Sequence, residues 1–141
     1  MSIQHEWRYQ QEGEDTWLVG VIRKAYQECA ELRVVPYAQA YNRILQDTVE
    51  NGRYEYRCIV DGELAAVAII VRDYDLHVGD SWAIQWNYVK PEYRSRGIAR
   101  EVFRVIRKLS KEFNIPYSYT KRIGEGVYSL TYKTTGVQNH G

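Results

Sequence analysis

The chain has 141 residues, 45% of them hydrophobic and 26% charged, which suits one globular domain with a sizeable core and leaves too little length for two. Its 19 Lys and Arg against 18 Asp and Glu give a net charge of +1, which argues against a protein that tracks nucleic acid along a broad basic face. No apolar run reaches membrane-spanning length, and Met1-Ser2-Ile3-Gln4-His5-Glu6 lacks the basic-then-apolar order of a secretory signal, so a cytoplasmic location and no membrane partner are expected.

Ile3, His5, Trp7 and Tyr9 alternate with Gln4, Glu6 and Arg8, the period of a strand with one buried face, until Gly13 and its polar neighbours interrupt it. From a cap at Asp15 or Thr16, Leu18, Val21, Ile22, Ala25, Cys29 and Leu32 recur at helical spacing, with Glu28 and Glu31 on the outer side. A second helix starts at Pro36, continues through Ala40, Ile44, Leu45 and Val49, and stops at Gly52. Tyr54 to Val60 and Leu64 to Val71 flank Asp61-Gly62, a pair suited to the positive φ angles of a hairpin turn. The second arm is apolar on both faces, as in a strand covered by helices on both sides.

Asp73 to Asp80 reads as a polar connection, and Ser81 to Val89 as the next strand. Alternation places Ala83, Gln85 and Asn87 on one face and Trp82, Ile84, Trp86 and Tyr88 on the other. After Pro91 comes Arg94-x-x-Gly97-x-Ala99, then a helix burying Ile98, Val102, Val105, Ile106, Leu109 and Phe113 and ending near Asn114 and Pro116. Two strands, Tyr117 to Ile123 and Val127 to Lys133, surround Gly124-Glu125-Gly126, and residues 134–141 are expected to form a flexible tail.

The loop before the last helix carries the chemistry. Small residues at Gly97 and Ala99 admit close backbone approach, and the amides of a helix's first turn lack internal partners and attract anions. Lys90, Arg94, Arg96, Arg100 and Arg104 crowd this one site in a chain of nearly zero net charge. Such local excess points to a discrete polyanion, a nucleotide or cofactor, rather than to nucleic acid. Cys29 and Cys58 fall on apolar faces and read as reduced core residues. His5, His77 and His140 share no ligand spacing, so no metal is expected.

Val-x-Pro-x-Tyr-Arg-x-x-Gly-Ile-Ala, from Val89 to Ala99, resembles the acetyl-CoA motif of the GCN5-related N-acetyltransferase (GNAT) family, and the element order extends the resemblance from about Ile3 to Tyr119. It implies an α+β fold: a mixed, mostly antiparallel sheet in the order β-α-α-β-β-β-α-β-β with helices on both faces, forming one acyl-CoA-binding domain over residues 1–141. It implies acetyl-CoA as cosubstrate, with amides from Arg96 through Gly97, Ile98 and Ala99 to Arg100 on its pyrophosphate and Arg94 and Arg96 near the phosphates. The pantetheine arm would lie along Asn87, Tyr88 and Val89, and an amide near Tyr88 would polarise the thioester. The resulting activity is transfer of an acetyl group to a primary amine by direct attack.

The chain departs from the family pattern in two places. The strand before the loop carries no carboxylate to act as base; Asp80 and His77 are the nearest titratable groups. The late helix between the last two strands is missing with its proton-donating tyrosine, for which Tyr117 or Tyr119 would substitute. These departures keep a non-catalytic binding or assembly module, such as a phage-encoded one, open as the alternative. Trp82, Trp86, Tyr88, Tyr37 and Tyr41 read equally as an acceptor cleft or as core, and Tyr128 and Tyr132 as a homodimer surface or as an edge strand of a monomer.

Overall fold

The computed structural model describes residues 2–134, so the expected tail lies outside the described residues from residue 135 onward. Its six strands form one sheet in sequence order: β1 (Ile3–Gln10), β2 (Arg53–Val60), β3 (Glu63–Asp75), β4 (Gly79–Val89), β5 (Tyr117–Gly124) and β6 (Val127–Lys133). Every neighbouring pair is antiparallel except β4 and β5, which run parallel around a crossover through α3 (Ala99–Phe113). The β5–β6 hairpin leaves no place for a late helix, as read from the sequence.

Helices cover both faces. Leu18, Val21, Ile22, Ala25 and Ile44 pack on Val67, Ile69 and Tyr88 on one face, and Ile98, Val102, Ile106 and Leu109 pack on Cys58, Ala68, Ile70 and Ile84 on the other. β3 lies between the two cores, and Ala65 through Val71 are all buried, as its apolar run required. Each fully buried aliphatic side chain contributes roughly 1.5–3 kcal/mol. The turn joining β2 to β3 has Asp61 at φ 50° and Gly62 at φ 83°, the signature of the tight hairpin expected there.

The helix expected across Leu18 to Leu32 is instead three pieces: a 3₁₀ turn at Trp17–Gly20, α1 (Ile22–Glu28) and a second 3₁₀ turn at Ala30–Val34, followed by α2 (Tyr37–Val49). Thr16 caps the start by accepting the Leu18 amide, as the sequence suggested. The break falls at Cys29, whose φ of −107° and ψ of 111° are extended. Apolar spacing sets which side of this segment is buried; it does not require an unbroken hydrogen-bond ladder.

Two further expectations change. The polar connection shrinks because β3 runs to Asp75 and β4 begins at Gly79, joined by the Arg72–Asp80 ion pair and by the Asp75 carboxylate accepting from the His77 and Val78 amides. On β1 only Ile3 and Trp7 of the expected buried face reach the core; Tyr9 is 55% exposed, its ring edge-on to Tyr54 on the neighbouring strand. Among the described residues no helix is long and apolar enough to cross a membrane.

Candidate active site

β4 changes phase at Gln85. Ile70 pairs with Ile84 and Ile69 with Trp86, so Gln85 is an extra residue without a partner, a β-bulge. Before it Trp82 and Ile84 face α3; after it Trp86 and Tyr88 face α1 and α2. Simple alternation put all four on one face, and the inserted residue is why the structure does not.

The backbone turns with the side chains. The Trp82 amide donates to the Pro116 carbonyl on the β5 side, whereas the Lys90 amide donates to Ala65 on the β3 side. Counting back from Lys90, the peptide groups of Tyr88 point to β3 and those of Asn87 and Val89 point away from it. The Tyr88 amide is therefore a ladder group on the β3 side.

On the side that Asn87 and Val89 face, the sheet has parted. β4 and β5 pair only where Trp82, Ala83 and Ile84 meet Tyr117, Ser118 and Tyr119. Beyond that the strands diverge around a cleft of about 670 Å³, floored by Gln85 to Val89 and walled by Glu28, Cys29 and Leu32 on one side and Thr120, Arg122 and Tyr128 on the other. A second hollow of about 470 Å³, lined by Arg94, Ser95, Gly97, Ile98, Ala99 and Arg100, opens beside it, and Val89 and Arg94 border both.

That hollow is the loop singled out in the sequence. Ser95 and Gly97 take φ of 64° and 78°, and Ile98 leads into α3. The Arg100 amide bonds back to the Gly97 carbonyl at 3.2 Å, which takes it out of the expected set of anion-facing amides. A Cβ on Gly97 would meet nothing nearer than Arg100 Cδ at 3.9 Å, so the space above the loop is free of protein. Arg94 leans to the cleft: its Nε donates to the Val89 carbonyl at 2.9 Å, its Nη2 lies 2.6 Å from the Glu28 carboxylate, and its guanidinium sits over the Tyr88 ring. Arg96 lies over the Tyr93 ring.

Residues 19–122 match the model of the acetyltransferase (GNAT) family. This chain belongs to the GNAT family. It is, accordingly, an acyltransferase. No curated protein sequence matches it significantly. Among solved structures it is similar to a possible acetyltransferase from Clostridium difficile 630 (TM-score 0.57, 16% identity, covering 97% of this chain and 99% of that one). It is also similar to the ribosomal-protein-alanine N-acetyltransferase of Brucella melitensis biovar Abortus 2308 (0.54, 17%, 82% and 78%). A third is a predicted acetyltransferase of Clostridium acetobutylicum with acetyl-CoA (0.50, 18%, 79% and 77%). At these identities the likeness is one of fold, and the assembly-module alternative finds no support among the three.

In this GNAT chain most of the expected ligand-binding residues come together: Asn87, Tyr88 and Val89 floor the cleft, and Arg94, Gly97, Ile98, Ala99 and Arg100 line the hollow, with Arg96 beside it over Tyr93. The expected acid–base residues do not join them. Asp80 sits at the far end of β4, half exposed, its carboxyl held below the usual range by the Arg72 guanidinium at 2.6 Å. His77 is exposed beside Asp75 and Tyr132. Tyr119 faces α3, its ring edge-on to Phe103 at 4.9 Å, and Tyr117 is buried on the same face. Trp82 is core on that face too, whereas Trp86 reaches the cleft. The hydroxyls of Tyr128 and Tyr132 bond within the chain, to Glu31 and Asp75.

Sequence reasoning missed the charged walls. Glu28 accepts from both Arg94 and the Tyr88 hydroxyl, the latter 2.8 Å away. Burial, then that carboxylate, pushes the Tyr88 phenol up, so it stays protonated. Glu31 accepts from Nε and Nη2 of Arg122, at 2.6 and 3.0 Å, and from the Tyr128 hydroxyl, and Arg122 holds its carboxyl well below the usual range. The available signal was Arg122 two residues after Thr120 on a strand that opens with Tyr117 and Tyr119, and an acidic pair on either side of Cys29. Helical periodicity assigned that pair to solvent.

Proposed function

We propose that this chain transfers the acetyl group of acetyl-CoA to a primary amine of a small molecule or protein, by direct attack on the thioester, with the whole chain acting as one acyl-CoA-binding domain. The observation that carries this reading is the parting of β4 from β5 past Ile84, continuous through Val89 and Arg94 with the anion-binding turn ahead of α3. A long ligand with a diphosphate at one end and a thioester at the other needs an anion site followed by peptide groups that no strand has claimed. The open space at Gly97 and the acetyl-CoA held by the Clostridium acetobutylicum relative support the same fit.

In this reading the amides of Gly97, Ile98 and Ala99, at the positive end of α3, hold the diphosphate. Arg94, Arg96 and Arg100 neutralise its charge. The outward peptide groups of Asn87 and the outward amide of Val89 align the pantetheine arm, and the Asn87 amide donates to the thioester oxygen as it becomes negative, a contribution of about 3 kcal/mol. The neutral amine nitrogen bonds to the carbonyl carbon, the C–S bond breaks, one nitrogen-bound proton passes to the departing thiolate, and the products are an amide and the CoA thiol. Holding both partners in place supplies much of the remaining rate.

The test is release of free thiol from acetyl-CoA in the presence of mixed primary amines, alongside thermal melting with acetyl-CoA. Stabilisation together with amine-dependent release supports the reading. Stabilisation without release would favour a non-catalytic binding module, and neither would overturn the acetyl-CoA site.

A further inference from the structure

We infer that Glu28 is the residue that receives the incoming ammonium and takes its proton, and that Arg94 masks it until a CoA diphosphate draws Arg94 away. This rests on the acetyltransferase reading above and supplies the base that the sequence lacks on β4.

Glu28 is the last residue of α1, and the extended backbone at Cys29 ends the helix where this side chain overlooks Tyr88 and Arg94. It is the one carboxylate among the described residues lining the cleft. The other ionisable groups there do not suit the role. The Cys29 thiol is pushed up by burial and the Tyr88 phenol likewise, so both are neutral near pH 7; Tyr128 hydrogen-bonds to Glu31, and Arg122 is held by the same carboxylate.

Arg94 touches Glu28 from the boundary between the two hollows. An ion pair this exposed is weakly held, and a neighbouring diphosphate offers a guanidinium more charge and two-pronged geometry. With Arg94 on the diphosphate, Glu28 keeps the Tyr88 hydroxyl as its orienting partner and gains an uncompensated negative charge beside the thioester. It then attracts R–NH₃⁺ and accepts one proton. The freed amine attacks, the C–N bond forms as C–S breaks, the second nitrogen-bound proton goes to the departing thiolate, and Glu28 returns its proton to water. The amine thus binds well only after acetyl-CoA.

The experiment compares wild type, Glu28→Gln and Tyr88→Phe by calorimetry with acetyl-CoA and by steady-state thiol release over a panel of primary amines, with thermal melting as the fold control. Glu28→Gln is expected to bind acetyl-CoA at least as tightly as wild type, because Arg94 is released, while kcat/KM for the amine falls about 100-fold or more. Tyr88→Phe is expected to lower the amine kcat by about threefold to tenfold with unchanged acetyl-CoA affinity, and it keeps the test decisive if Glu28→Gln misfolds. An amine kcat/KM within about threefold of wild type in Glu28→Gln, or weakened acetyl-CoA binding in that variant, would overturn this inference alone. Absence of acetyl-CoA heat in wild type would overturn the parent reading as well.

Discussion

Glu28 and Arg94 stand 66 residues apart in the chain and meet at 2.6 Å, joining the end of α1 to the turn that starts α3. The contact makes one unit of the anion turn and the amine side of the cleft. Arg94→Ala removes that link, the clamp on the Val89 carbonyl and one charge from the diphosphate site. Acetyl-CoA affinity is expected to fall about 10- to 100-fold, the range for a hydrogen bond to a charged group. Stability should change by less than about 1 kcal/mol, because the pair is exposed. Calorimetry and urea titration of the same preparation check both.

Gly97 adopts φ 78° with open space where a side chain would go. Gly97→Glu therefore costs about 1–2 kcal/mol of backbone strain without a clash, and it sets a carboxylate where the diphosphate belongs. The variant should fold and show no rise in melting temperature with acetyl-CoA.

Deleting Gln85 removes the bulge. Trp86 already pairs with Ile69, so the side chains past the deletion keep their faces; what is lost is the local bend and extra twist that accompany the bulge where β4 leaves β5. Weakened acetyl-CoA binding at a nearly unchanged denaturant midpoint is expected. Gln85→Ala, which keeps the residue count, should retain both the binding and the midpoint. Calorimetry distinguishes the two variants, and denaturant midpoints check that both fold.

Acid should unfold the protein through Glu55. This carboxylate and Arg53 are both fully buried, 2.6 Å apart, with Arg8 and the Trp17 amide each at 2.9 Å from Glu55. Burial alone would raise its carboxyl, but the hydrogen bonds from Thr16, Trp17, Arg53 and Arg8 outweigh that and hold it below its ordinary value. The unfolded chain then binds the extra proton in acid, so this stabilisation is complete above the ordinary value of 4.5 and is lost as pH falls through the folded one. Melting temperature should drop below about pH 4.5, and Glu55→Gln should flatten that drop while costing about 3–5 kcal/mol at neutral pH, because it leaves Arg53 buried without its counter-charge.

Asp80 and Tyr119 lie away from the cleft, the first in an ion pair with Arg72 and the second against Phe103. Asp80→Asn and Tyr119→Phe should each keep the amine kcat/KM within about threefold of wild type. A 100-fold loss in Asp80→Asn would return that residue to the role of base.

What the sequence by itself determined is local in origin. Order and type of the strands, the Asp61-Gly62 hairpin, the missing late helix and the Arg94 to Ala99 turn were legible because each depends on periodicity, on positive φ or on the unpaired amides at a helix start, all contained within a few consecutive residues. Tertiary structure alone decided the rest. Whether β4 would hold a bulge at Gln85 depended on its register against β3, and that single slip chose the face of Trp86 and Tyr88 and the outward amides. Whether Glu28 was a solvent residue or a cleft wall, and whether Glu31 anchored the Arg122 and Tyr128 of that wall, depended on a break at Cys29 and on Arg94 and Arg122, which arrive from distant elements. No spacing within the α1 segment encodes partners that only the folded sheet brings within hydrogen-bond reach.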